Sequence, residues 1–340
     1  MGIVPSNKIS VVIQGPLHRA SSEYGVEITI NSIKKWLPEA EIIVSTWVGE
    51  DTKGLNCHQL IVSEPPEKLI DKNGNPNYLG HQILSTQFGL ALSTRAYVLK
   101  MRADHSLLNN DFCIYPDKVV KSEPFAFFDK KIIVSSLFLR DPLKVPFLFH
   151  ISDLIQFGKR SDVIAFWSLK APTLEEILQK NPRGHVGLFG NYSSSTLFKQ
   201  APEQTIILSL LKANGINVNL PYPCATNYKW FFIWEHVLAK NFQVVDASKS
   251  NVVYPKRFHK AFLGESTVLN QVSFTKLVKT PGSRLRYFKL LLNKYIFAWG
   301  QPRYWIATSN ILLSYVFPEF AQKIRIKLRN RLGLVHGDRK

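Results

Sequence analysis

The residues best equipped for chemistry stand at the end of an apolar run. In Tyr97-Val98-Leu99-Lys100-Met101-Arg102-Ala103-Asp104-His105 a strand-like segment closes on a carboxylate, with a cation two residues before it and an imidazole directly after. Open α/β sheets bind ligands outside the carboxyl ends of their strands, so Asp104 and Arg102 are placed to meet one. An Asp there also suits a strand-ending turn, and residue type alone leaves both readings open. Gln14, Gly15 and Pro16 close another short β-branched run; glycine lets backbone approach a ligand, and Gln14 offers the donor and acceptor that base or ribose recognition requires. Thr46 and Trp47 end a third run, with Glu50 and Asp51 just beyond, an edge suited to a nucleobase or simply an Asp-rich turn. Asp153, after the apolar residues 145–149 and His150, is a candidate for acceptor binding or proton transfer, or else the cap of the following LIQFG segment. Lys256, Arg257, His259 and Lys260 either clamp a diphosphate or form a solvated turn. Glu203 opens a helix over 202–212, where the helix dipole favours its ionised form.

These residues need a frame that brings strand ends together. Residues 8–16 read as a buried first strand closed by Gly-Pro. Apolar residues at helical spacing over 26–36, stopping before Pro38, predict a crossover helix. Strands follow at 41–47 and 59–63, then a long loop at 65–78 rich in Pro, Gly and Asn, then a helix at 81–96 that feeds the Asp104 strand. This is the element order of a doubly wound nucleotide-binding half. It contains neither GxGxxG nor GxxxxGK[ST], which disfavours dinucleotide dehydrogenases and P-loop NTPases. Further on, 125–128 and 131–139 read as strands, and 161–167 as a helix capped by Ser161. A glycine- and serine-rich loop is expected at 184–196, an aromatic core helix at 228–240 and a last strand at 243–246.

With 340 residues, 45% of them hydrophobic, the chain can bury the core of one large α/β domain or two smaller ones. Three widely spaced cysteines with no CxxC pair argue against a disulfide framework and a zinc site. The net charge of +18 implies a polyanionic partner, and more than half of it lies at one end. Residues 281–340 carry twelve Lys and Arg against Glu319 and Asp338, a net of +10. There, 284–299 and 306–332 interleave aromatic and aliphatic residues with cations at helical spacings. Such helices lie on an anionic bilayer face, each cation adding about 1 kcal/mol, or else pack on the core with a solvated basic face. No uncharged apolar run approaches 18 residues and the N-terminus lacks a secretory core, so neither a spanning helix nor export is expected. A basic, aromatic chain also raises the possibility of nucleic-acid binding, but helix-turn-helix, RRM and zinc motifs are absent and no nucleic acid is expected as partner.

The segments ISVVIQGPL, INSIKKWLPEAEIIVSTW, HQILSTQFGL and YVLKMRADHSLLN, with HISDLIQFG and PEQ downstream, together resemble the WavE family of lipopolysaccharide-synthesis proteins over roughly residues 8–260. One departure is Gly80-His81-Gln82, where an Asn-Arg-Gln-like triplet is expected. The resemblance implies a GT-A like nucleotide-sugar-binding fold, an α/β doubly wound mixed sheet over 1–260; beyond it, 261–340 read from their own residues as a basic amphipathic helical extension. The resemblance also implies a glycosyltransferase moving a sugar from a nucleoside-diphosphate donor to a lipid-linked glycan, cytoplasmic and peripheral on the inner face of the cytoplasmic membrane. Asp104 then becomes the ligand of a divalent cation (Mn or Mg) that neutralises the departing diphosphate, although Arg102-Ala103-Asp104 has one carboxylate where a DxD motif has two, and Arg102 offers an alternative counter-charge. That single carboxylate also keeps open an inactive transferase-like scaffold. Glu203 becomes the general base that takes the acceptor hydroxyl's proton.

Overall fold

The computed structural model describes residues 2–19, 21–71, 74–178, 197–259 and 265–331; the expected loop at 184–196 and Lys260 lie outside them. The chain builds a seven-stranded mixed sheet: β1 Ile9–Gln14, β2 Glu41–Trp47, β3 Gln59–Ser63, β4 Tyr97–Arg102, β5 Ile132–Ser135, β6 Ile155–Lys159 and β7 Phe242–Val245. Their spatial order is β7-β5-β6-β4-β1-β2-β3. All neighbours pair in parallel except β6, which runs antiparallel to both β4 and β5. A mostly parallel sheet with helices on its faces is consistent with a GT-A-like fold.

Every residue of β1 and β2 is buried, as strands covered on both faces require. Successive side chains feed two separate cores. Val12, Ile43 and Val98 join Leu79, Ile83 and Leu90 of helix α2 (Leu79–Leu92), whereas Val11, Ile13, Ile42 and Leu99 join Val26, Ile30 and Ile33 of helix α1 (Val26–Trp36) on the other face. The two edge strands β3 and β7 show an alternation of more and less buried residues. Gly89 lets α2 press on the sheet, because a Cβ there would overlap Val12 Cγ1.

Helix α3 (Arg160–Trp167) follows β6; α4 (Pro202–Ala213) and α5 (Tyr228–Asn241) complete the first core, with Phe231 and Trp234 fully buried. The aromatic helix is thus core, as its composition suggested. Phe274 and Leu277 of α6 (Gln271–Lys279) and Leu290 of α7 (Arg284–Tyr295) pack into that same core. Helices α8 (Pro302–Val316) and α9 (Pro318–Arg331) follow, parted at Pro318.

Several boundaries differ from expectation. Helix α2 begins at Leu79 and stops at Leu92, where Ser93 turns to an extended backbone. Residues 125–128 form no strand: Phe125 has φ +65°, and the Asn241 side chain takes the hydrogen bonds of Phe127 N–H and Phe125 C=O that a ladder would use. The LIQFG segment is not a capped helix but β6. Its burial on both faces removes the alternation by which a strand is recognised.

Candidate functional site

Parallel pairing of β1, β2 and β4 sets Gln14, Trp47 and Arg102 at one edge of the sheet, since Gln14 stands opposite both Ser45 and Arg102. Beyond β4 the chain turns at Ala103 and presents Asp104, whose side chain is completely buried. Its carboxylate gathers guanidiniums and imidazoles from three segments. Arg102 binds it with both Nε (3.0 Å) and an Nη (3.2 Å), His105 Nδ1 lies at 2.7 Å, His18 Nε2 at 3.8 Å, and Arg257 donates to Oδ2. Burial opposes the charge, but Arg102 and His105 outweigh it and hold the carboxyl well below the usual range. Burial likewise pushes His105 down, against the attraction of Asp104, toward which its Nδ1 is turned.

Arg257 is delivered by the one-turn helix Lys256–His259, and its guanidinium rests on Phe258 (4.9 Å) and Tyr24 (5.4 Å). Arg102 lies over the same Phe258 ring at 5.4 Å. About a quarter of each Arg side chain remains open to solvent, 26% for Arg102 and 25% for Arg257. One buried carboxylate thus aims two guanidinium groups at the surface, and the positive charge exceeds the negative. This donor set suits an anion. A divalent cation does not fit Asp104 as it stands, because both oxygens are engaged by guanidiniums, and no group of three or more His, Cys, Asp and Glu gathers as a metal site among the described residues.

The other expected residues differ in their surroundings. Gly15 adopts φ +97° with open space where a side chain would stand, and its N–H and C=O bond to Ser45 C=O and Thr46 Oγ1. Gln14 Oε1 accepts from Ser85 of α2 (2.8 Å). Thr46 is buried and holds the Gly15-Pro16 loop; Trp47 is nearly buried and meets His81 edge-on at 5.5 Å. These side chains shape the wall. Lys256 pairs with exposed Glu23 (2.9 Å) and stands apart from Asp104's cations.

A second cluster adjoins the first. Antiparallel β6 places Ile155 opposite Met101, so Asp153 lies just past the end of β4. Its carboxylate accepts from Gln82 of α2, and its backbone carbonyl accepts from buried Lys100, whose ammonium rests over Trp167 (4.8 Å). Burial lowers Lys100 to about 8 against the attraction of Asp153 and Asp104. Glu203 enters from α4. Pro202 starts that helix, and the Gln204 amide is buried as a pin, accepting from Ala201 N–H (2.9 Å) and donating to the carbonyls of Leu148 (2.7 Å) and Pro223 (2.9 Å). The pin brings Glu203 Oε2 to 3.6 Å from His150 Nε2, and the His150 ring stacks on Phe147.

At Glu203 burial acts against the helix dipole, which favours the ionised form. Burial, then the Asp153 charge, push its carboxyl up to about 7, against the backbone N–H and Arg140. Burial and Arg140 push His150 down to about 3, leaving a neutral imidazole beside it. Asp104, Arg102, Lys100, Asp153 and Glu203 therefore form one electrostatic chain along the strand ends. Sequence reasoning missed His18, Arg140 and the role of Gln204. His18 follows the Gly-Pro turn, the one local signal available, whereas Arg140 gives none.

The sequence profile for WavE lipopolysaccharide synthesis matches residues 9–290, which includes every residue of both clusters. The chain belongs to the WavE lipopolysaccharide synthesis family. Membership gives it a role in lipopolysaccharide synthesis. No curated protein matches the chain significantly. Helices α8 and α9 lie beyond the matched residues.

Proposed function

We propose that this WavE family member is a glycosyltransferase that moves a sugar from a nucleoside diphosphate donor to a growing lipopolysaccharide or other lipid-linked surface glycan, working at the inner face of the cytoplasmic membrane. The observation that carries the reading is the pair Arg102 and Arg257, both oriented by buried Asp104 at the carboxyl ends of β1 and β4. Planar guanidiniums match the paired oxygens of a diphosphate, and the partly open faces of both point where a ligand would lie. His18 adds a third nitrogen at that edge. The donor nucleoside falls beside the Gly15 turn and the Trp47–His81 ring pair.

Glu203 serves as the base. A carboxyl near 7 is matched to proton transfer at neutral pH, and a deprotonated Glu203 takes the proton of the acceptor hydroxyl. The acceptor oxygen bonds to the anomeric carbon, the bond from that carbon to the diphosphate oxygen breaks, and its electron pair leaves on the diphosphate between Arg102 and Arg257. Asp153, held by Gln82, raises Glu203 through its negative charge and faces the acceptor. In this reading the departing charge is met by guanidinium groups and no step uses a metal.

The test is donor hydrolysis and transfer in a membrane extract with a panel of nucleotide sugars. Release of nucleoside diphosphate that depends on the acceptor extract and is lost in Glu203→Gln supports the reading. Salt-sensitive RNA or DNA binding with no nucleotide binding would replace it.

A further inference from the structure

Helix α8 is apolar on two faces, and only one of them is covered. Tyr304 and Ile311, seven residues apart, are buried. Tyr304 joins Ala298, Val145, Phe147 and Cys224 in a small core of its own. On a neighbouring face Trp305, Leu312 and Val316 repeat at helical spacing with Ile306 beside them, and all four stand 45–57% exposed. The stripe continues across the α8–α9 junction at Phe317 and Phe320, exposed by 59% and 57%. A contiguous apolar strip of this kind marks an interaction surface rather than a scatter of surface residues. Its chemistry is interfacial: a tryptophan and two phenylalanines among aliphatics, flanked by Lys323 and Lys327, which are exposed.

The geometry points to this strip as a docking surface for an anionic lipid bilayer. Charge decides between a bilayer and a second copy of the chain. Residues 281–331 carry ten Lys and Arg against Glu319, so two copies meeting here would bring like charges together, whereas an anionic headgroup layer neutralises them. None of the helices among the described residues is long and apolar enough to cross a membrane, so the helices lie on the surface with the strip inserted. The surface rests on exposure and charge and stands whether or not the reaction proposed above is correct. It also has a physical path to Glu203: Tyr304 packs with Phe147, Phe147 stacks on His150, and His150 faces Glu203.

The experiment is sedimentation of the full chain with vesicles of phosphatidylglycerol and phosphatidylethanolamine, and with phosphatidylcholine vesicles, at low and high salt. The chain is expected to bind the anionic vesicles, to lose binding as salt rises, and to shift its tryptophan emission to the blue. The double variant Ile306→Asp, Val316→Asp replaces exposed residues, so it keeps the wild-type melting curve while its partition falls roughly a hundredfold. Equal partition of variant and wild type, or equal binding to both lipid compositions, overturns the proposal. So does a concentration-dependent dimer that the double variant abolishes while wild type ignores vesicles, which gives the strip to a second copy.

Discussion

Asp104→Asn separates the two roles open to this carboxylate, orienting arginines or holding a cation. The substitution keeps the volume and removes the charge. In the wild type the side chain is fully buried and receives hydrogen bonds from two guanidiniums and an imidazole. Breaking a buried pair by removing one partner costs about 3–5 kcal/mol. Here the two Arg side chains are a quarter open to water, which re-solvates them and places the expected loss at the low end, about 3 kcal/mol. For a chain of this size that lowers Tm by roughly 6 °C. Arg102 and Arg257 also lose the anchor that aims them. If each guanidinium then gives up about half of a charge-assisted contact, nucleoside diphosphate affinity falls roughly tenfold to a hundredfold. Calorimetric titration of uridine and cytidine diphosphate, with EDTA and with manganese, reads the second effect, and a thermal melt reads the first. An Asp104→Asn protein with wild-type melting and wild-type affinity refutes the account of the cradle. A wild-type affinity that appears only with manganese and vanishes in the variant would return Asp104 to the role of metal ligand.

Three further outcomes follow from the geometry. Glu203→Gln lowers kcat by about 10²–10⁴ while donor affinity is kept, and abolishes a limb in the wild-type rate that rises with pH to about 7; weakened donor binding instead would move Glu203 to the donor site. Because the folded state raises this carboxyl above its unfolded value, it binds more protons there than when unfolded. Its contribution to stability is therefore largest below about 4.5 and declines as pH rises to about 7, so the wild-type Tm should fall relative to Glu203→Gln across that window. Gln204→Ala cuts three hydrogen bonds, two of them buried, and leaves two carbonyls and one N–H without this partner; stability should drop by about 2–4 kcal/mol with loss of the Glu203 limb, read by melting and a pH profile. Gly89→Ala forces α2 away from β1 and should destabilise by about 1–3 kcal/mol, and an unchanged melt would contradict the packing at Val12.

Local pattern was enough for much of the first half. Residues 26–36, 41–47 and 59–63 take the expected structure at the expected bounds, because helical spacing and a β-branched run are properties of neighbours in sequence. Where long-range partners decide, the reading fails. Residues 125–128 are apolar enough for a strand, but Asn241 claims their backbone from 116 residues away. Residues 155–159 form the antiparallel strand of the seven-stranded sheet, a fact of pairing that no spacing announces. The site divides in the same way. The strand end that presents Asp104 was legible, and so was a basic cluster near 257. That Arg257 reaches Asp104 across 153 residues was not, nor that Lys256 turns to Glu23 instead. At Glu203 the dipole is visible in sequence, and the burial that raises its carboxyl is not.

The central claim is that a diphosphate sits between Arg102 and Arg257. Calorimetric titration of nucleoside diphosphates into wild type, Arg102→Ala and Arg257→Ala, all in EDTA, tests it most directly. The account predicts binding by the wild type and a loss of at least tenfold in each variant. Absence of binding in the wild type under all conditions, or affinity that neither substitution changes, would contradict it.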